Sequence, residues 1–319
     1  MKTSPSIKRS QGFTLIEVLV AMALITIISL VAMGALAPWM NFKQKLDTER
    51  RLQDVRQGLS AAYSDWAMTV ERQPSGQLGQ FVTSAPAGGQ CAEQPAAFEQ
   101  IADYFSESPQ QLMRDGYANP WCIFISPSFR VARDGVDLWY RNAAIVSTGL
   151  DGVLDAGTKL EADGTLKVGG DDLGAIVSGR EIQGAKLKET MRRMNRVAQI
   201  YETYFTNRYL SNASRDITLY YFSKTYDTSG AVNTTGGSWA NAGTVLGSVG
   251  VGAADAMSAW ELDNQIQVGN HNESVGTIQV RSPATSGTGS LPYTALLRVR
   301  LPAPPGQTPY ATQVVVGGY

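Results

Sequence analysis

The feature that limits this chain most is a run of 25 residues, Phe13 to Ala37, in which Glu17 is the only ionisable side chain. As a helix rising about 1.5 Å per residue it is roughly 37 Å long, more than the ~30 Å hydrocarbon layer of a bilayer. Lys2, Lys8 and Arg9 precede it with no acid among them, whereas Lys43 and Lys45 after it are soon joined by Asp47 and Glu49. That asymmetry points residues 1–12 into the cytoplasm. A removed secretory signal fits poorly, because its apolar region is typically about 7–15 residues. Pro38 would also stand directly after the small-x-small triplet Ala35–Ala37, where its imide makes a poor scissile bond.

Glu17 needs a reason of its own. A charge inside a spanning helix costs on the order of 2.5–3.5 kcal/mol, less where it reaches the interface. A cut between Gly12 and Phe13 would create an α-ammonium at the start of the same helix, about four residues from Glu17. The pairing can be made to the chain's own terminus or to a neighbour's.

The stretch "GFTLIEVLVAMALITIISLVA" resembles the N-terminus of type IV pilins and type II secretion pseudopilins. The resemblance covers about 30 residues and implies a specific life history. Residues 1–12 are the leader, Gly12–Phe13 the prepilin peptidase site, Phe13 the residue whose amine is N-methylated, and Glu17 the assembly glutamate that pairs with an adjacent subunit's amine. It implies prepilin peptidase, other pilin or pseudopilin subunits, an inner-membrane assembly platform and membrane lipid as partners. The head lies in the periplasm before assembly, and the subunit lies in a pilus or pseudopilus afterwards. One departure is the helix-bending proline, which many pilins carry at the site of Gly34 and which here is Pro38; Gly34 and Pro38 together are expected to loosen or kink the helix.

Beyond Pro38, Phe42, Leu46, Leu52, Val55, Leu59, Ala62, Trp66 and Val70 fall mostly three or four apart, which predicts an amphipathic helix continuing to about Val70. Cys91 and Cys122 are the only cysteines, and export to an oxidising compartment predicts a disulfide between them. Cys122–Ile125 and Leu138–Val146 read as strands of an antiparallel sheet, with a later hairpin through Asp163–Gly164. On either side of that hairpin, "STGLDGVLD" and "GGDDLGAI" place Asp151, Asp155, Asp171 and Asp172 on glycine-rich turns. Hard oxygen donors of this kind suit calcium, though not in EF-hand spacing. The loop is similar to the acidic calcium loop of the major pseudopilin subfamily, with an insertion between Gly157 and Gly170.

In the second half, Glu189 to Leu210 has helical periodicity, and "TIQVRSP", "YTALLRVRLPAPP" and "QVVVGGY" read as late strands, the last at a sheet edge. Thr48, Arg50, Arg51, Val55 and Gln57 recur as Thr190, Arg192, Arg193, Val197 and Gln199, all 142 positions on. This raises the hypothesis that residues 180–319 are a second α+β region, a degenerate repeat of the head without its own membrane helix. Chance similarity of two amphipathic helices is the alternative. Asp227 to Trp260, rich in Gly, Ala, Ser and Thr, reads as a surface excursion.

Charge and motif content narrow the function. With 27 basic and 28 acidic residues there is no basic field for nucleic acid. His271 is the lone histidine, and no signature of a nucleophile, phosphate loop or hydrolytic metal site is present, so no enzyme is expected. The expected fold is α+β: a long N-terminal helix, residues 13–37 in the membrane, packed on an antiparallel sheet in a head of residues 38–179. The expected function is that of a structural, minor pilin or pseudopilin subunit that requires no cofactor, with calcium as a candidate ligand. The alternative is a membrane-anchored periplasmic binding or adhesive protein that does not polymerise.

Overall fold

The computed structural model describes residues 14–73, 78, 79, 81, 89–217, 219, 221, 222, 240–243, 247, 250–252, 254–260, 279–281 and 294–319; the side chains of 30–35, 37, 240, 241 and 279–281 lie outside that description. Helix α1 spans Leu15–Asp65, 51 residues, and continues through Pro38 without interruption. It ends at Trp66, whose backbone (φ −99, ψ 15) leaves the helical region, and α2 (Ala67–Arg72) follows. The single helix expected to Val70 is therefore two helices broken at Trp66. Among the described residues no helix is long and apolar enough to cross a membrane.

Only the second part of α1 packs. Leu52, Val55, Leu59, Ala62 and Tyr63 are buried, whereas Phe42 and Leu46, expected on the same face, are exposed. The head begins at Thr48, where the loop carrying Gly116 crosses the helix so closely that a Cβ there would strike Gln44 O. Helices α3 (Pro95–Gln100) and α4 (Pro109–Leu112) lead into that loop, contributing Phe98 and Leu112 to the core.

Seven strands follow: β1 (Cys122–Ile125), β2 (Phe129–Arg133), β3 (Val136–Tyr140), β4 (Ala143–Ser147), β5 (Lys159–Leu160), β6 (Leu166–Lys167) and β7 (Leu173–Val177). β1, β4 and β7 form an antiparallel sheet in that order, and β2–β3 and β5–β6 are two-stranded excursions from it. The run Leu138–Val146, read as one strand, is divided because the chain turns inward at Arg141, whose Nη1 donates to Ser126 O at 3.1 Å. Asp134 and Gly135 turn the β2–β3 hairpin with φ of 52° and 77°, a left-handed pair suited to Asp-Gly.

Helix α5 (Gly179–Ser211) starts ten residues before the periodic stretch that predicts it. Ser178 Oγ caps it by accepting from Glu181 N–H at 3.4 Å, and "SGRE" is the sequence signal for this start. It lies chiefly on β11 of a second antiparallel sheet, built from β8 (Ala240–Asn241), β9 (Gln279–Arg281), β10 (Thr294–Arg300) and β11 (Tyr310–Val316) in the order β11-β10-β9-β8. The expected edge position of the last strand is observed. His271 and most of the 227–260 excursion lie outside the described residues. The architecture is α+β, and one buried apolar cluster runs from Leu52 through Met194 to Val315, joining both sheets and both long helices.

Candidate functional site

At the start of α1, Gly12 and Phe13 lie outside the described residues, so the expected cut is not seen. Glu17 is seen, and it has a partner that charge arguments missed. Thr14 N–H and Thr14 Oγ–H both donate to Glu17 Oε2 at 2.9 Å, while Glu17 N–H donates to Thr14 Oγ1 at 3.3 Å. This reciprocal arrangement is a capping box, which satisfies amide donors that a helix start leaves unpaired. Its signal, "TLIE", was legible as Thr-x-x-Glu. A carboxylate offers about four acceptor sites, so capping leaves capacity for an ammonium arriving from Phe13. Around the box the side chains are apolar and bare: Leu15 is 84% and Ile16 71% exposed.

The second site is the acidic loop. Asp155, Asp171 and Asp172 come together with one carboxylate oxygen each within 4.8 Å of one another. Asp151, expected with them, stays outside this group and accepts from Val153 N–H at 2.9 Å in its own turn. The backbone explains the convergence. Gly149, Gly152 and Gly170 all have positive φ, and at Gly170 a Cβ would collide with the Asp155 carboxylate. Asp171 Oδ2 accepts from Leu150 N–H at 2.6 Å and Asp172 Oδ2 from Asp155 N–H at 3.0 Å, tying the two strands of the loop together.

Asp172 is 4% exposed, and its Oδ1 has no hydrogen-bond partner. Burial pushes its carboxyl above the usual aspartate range. Three hard oxygen donors, one of them orphaned, fit a calcium ion that accepts backbone carbonyls for its remaining positions. Bound there, the ion would supply charge compensation and cross-link the loop. Beneath the loop the Cys91–Cys122 disulfide is formed, with Cα atoms 5.3 Å apart, and packs beside Leu154, Leu160 and Leu166.

A third group lies at the junction of the two halves. Glu71 is fully buried and accepts from Tyr63 Oη–H at 2.6 Å and from Ser128 Oγ–H at 3.1 Å, with Arg141 Nε 3.8 Å away as an ion pair. Burial raises its carboxyl above the ordinary glutamate range in spite of these partners. Nearby, Gln183 of α5 donates to Ala67 O at 2.7 Å and accepts from Trp260 Nε1–H at 2.8 Å. No periodicity or motif marks these residues in the sequence, because the partners other than Tyr63 and Glu71 are distant along the chain.

Neither the curated proteins nor the solved structures hold a match to this chain. Residues 7–33 match the family model described as the prokaryotic N-terminal methylation motif. The match contains Gly12, Phe13 and the Thr14–Glu17 box, and with it the chain carries the N-terminal signature of the prepilin-processed, type IV pilin- and pseudopilin-like proteins of the prokaryotic cell envelope.

Proposed function

We propose that this chain is a structural, low-copy subunit of a type IV pilus or type II secretion pseudopilus. Prepilin peptidase cuts it between Gly12 and Phe13, the Phe13 amine is methylated, and the Phe13 to Ala37 segment holds it in the inner membrane with its head in the periplasm. The assembly platform then draws the subunit into the filament, where Glu17 meets the amine of an adjacent subunit. The observation that supports this reading best is the bare first part of α1. From Leu15 to Ile28 every described side chain is exposed, and ten of them are large hydrophobic residues that the chain's own head does not cover. Such a surface is stable only against lipid or against other helices of its kind. In this reading Asp155, Asp171 and Asp172 hold a structural calcium, and the chain has no catalytic role.

The test is Glu17→Ala in the full-length chain, comparing its amount in membranes with its amount in sheared filaments. The expected result is a chain that stays in the membrane, keeps the wild-type melting temperature of its head and is lost from filaments. Wild-type incorporation of the variant would overturn the assembly role and favour an anchored protein that does not polymerise.

A further inference from the structure

The two long helices meet their loops in the same way. Thr48 and Thr190, 142 positions apart, are both fully buried. Thr48 Oγ1 accepts from Gly116 N–H at 3.0 Å, and Thr190 Oγ1 accepts from Ala259 N–H at 3.0 Å. Three residues on, Arg51 Nη1 donates to Arg114 O and Asp115 O at 3.0 and 2.9 Å, and Arg193 Nη1 donates to Met257 O and Ser258 O at 3.2 Å each. In each case the arginine takes the two carbonyls immediately before the amide that the threonine takes.

The loops correspond in their own conformation. Asp115 Oδ1 accepts from Tyr117 N–H at 2.9 Å, and Ser258 Oγ accepts from Trp260 N–H at 3.2 Å, the same side-chain turn two residues on. A tryptophan 2% exposed is near each loop, Trp260 at the end of the second and Trp121 four residues past Tyr117 in the first.

The agreement extends along the helices and into the sheets. Leu52, Val55, Leu59 and Tyr63 are buried, and so are Met194, Val197, Tyr201 and Phe205, each again 142 positions on. α1 packs chiefly on β7, an end strand of the three-stranded antiparallel order β1-β4-β7, and α5 chiefly on β11, an end strand of the four-stranded antiparallel order β11-β10-β9-β8. Two amphipathic helices share periodicity by chance. A threonine and an arginine that hold the same three backbone groups of a turned loop, on helices that each pack chiefly on the end strand of an antiparallel sheet, do not follow from periodicity.

We infer that residues 179–319 are a second copy of the head, and that Thr190 and Arg193 are its positioning residues, holding the 257–260 loop as Thr48 and Arg51 hold the 114–117 loop. The second helix begins at Gly179, packed so tightly on Arg141 O that no Cβ fits, and no anchor precedes it. One N-terminal helix thus carries two heads. The inference stands on head geometry and does not depend on filament assembly.

The experiment is hydrogen exchange on the full-length chain in detergent, following the amides of Gly116 and Ala259. Thr48→Val and Thr190→Val keep the side-chain shape and delete the acceptor, leaving one loop N–H unpaired, which is worth about tenfold or more in exchange. Arg51→Lys and Arg193→Lys are milder variants that keep the charge and lose the fork, and they serve if a valine variant fails to fold. The expected result is that each substitution speeds exchange only in the loop on its own helix, and by similar factors in the two copies. Release of both loops by one substitution, or of neither, would overturn the inference.

Discussion

Helix α1 carries 33 residues, Leu15 to Asp47, ahead of the threonine that meets its loop, and helix α5 carries eleven, Gly179 to Glu189, ahead of its own. The short lead of α5 is absorbed into the head: Gly179, Gln183, Gly184 and Leu187 are all buried. The long lead of α1 is exposed at every described side chain from Thr14 to Ile28. From Thr48 and Thr190 onward the two helices share a burial pattern and a loop contact. The stretch from Leu15 to Ile28, which has no counterpart in α5, is therefore left uncovered by the head. Apolar surface gains roughly 25 cal/mol per Å² when it leaves water, and here that gain is available only outside the chain.

The sharpest way to break the comparison is at the junction. Arg141→Leu leaves the Glu71 carboxylate buried without its cation, and we expect a loss of about 3–5 kcal/mol. The effect has a sign in pH. Because burial raises the Glu71 carboxyl, its protonated form is favoured in the fold. That contribution is complete below the unfolded value near 4.5 and is lost as pH rises through the raised folded value. The deficit of Arg141→Leu is thus largest at neutral pH and shrinks toward pH 5, which melting curves across that range would check.

A smaller, more even effect is expected from Val55→Ala and Val197→Ala, identical residues at corresponding, fully buried positions. Each removes two buried carbons, roughly 2 kcal/mol with the cavity term. Since one apolar cluster spans both heads, calorimetry should show a single transition lowered similarly by either change. Two transitions, each sensitive to one valine, would mean that the heads are energetically separate.

Among the described residues the acidic cluster is in the first head, and calcium distinguishes it. At a hundredfold excess over its dissociation constant an ion adds about 2.7 kcal/mol, or about 5 °C or more in melting temperature. We expect that shift to vanish with chelator and with Asp172→Asn, and to survive Asp151→Asn.

Much of this was legible from the residues themselves. Leu52 through Ala62 showed their period, Cys91 and Cys122 their pairing, and Asp163–Gly164 its hairpin between Lys159 and Lys167. The helix starts were legible too, in "TLIE" and "SGRE", but they need the capping geometry to be read in place of apolar periodicity. The junction was not legible. Glu71, Arg141 and Gln183 are joined by contacts 70 to 116 positions apart, between Glu71 and Arg141 and between Ala67 and Gln183. Side chains of this kind carry no local pattern. The convergence of Asp155 with Asp171 and Asp172 but not Asp151 depended on positive φ at Gly149, Gly152 and Gly170, which composition suggests and only backbone geometry decides.

The most direct test of the account is the mass of the N-terminal peptide of the chain taken from sheared filaments and from membranes of cells with and without prepilin peptidase. The account predicts a peptide beginning at Phe13 and one methyl group heavier in peptidase-positive cells, and one that retains residues before Phe13 without the peptidase. A filament-derived chain beginning at Met1, or one beginning at Pro38, would contradict it.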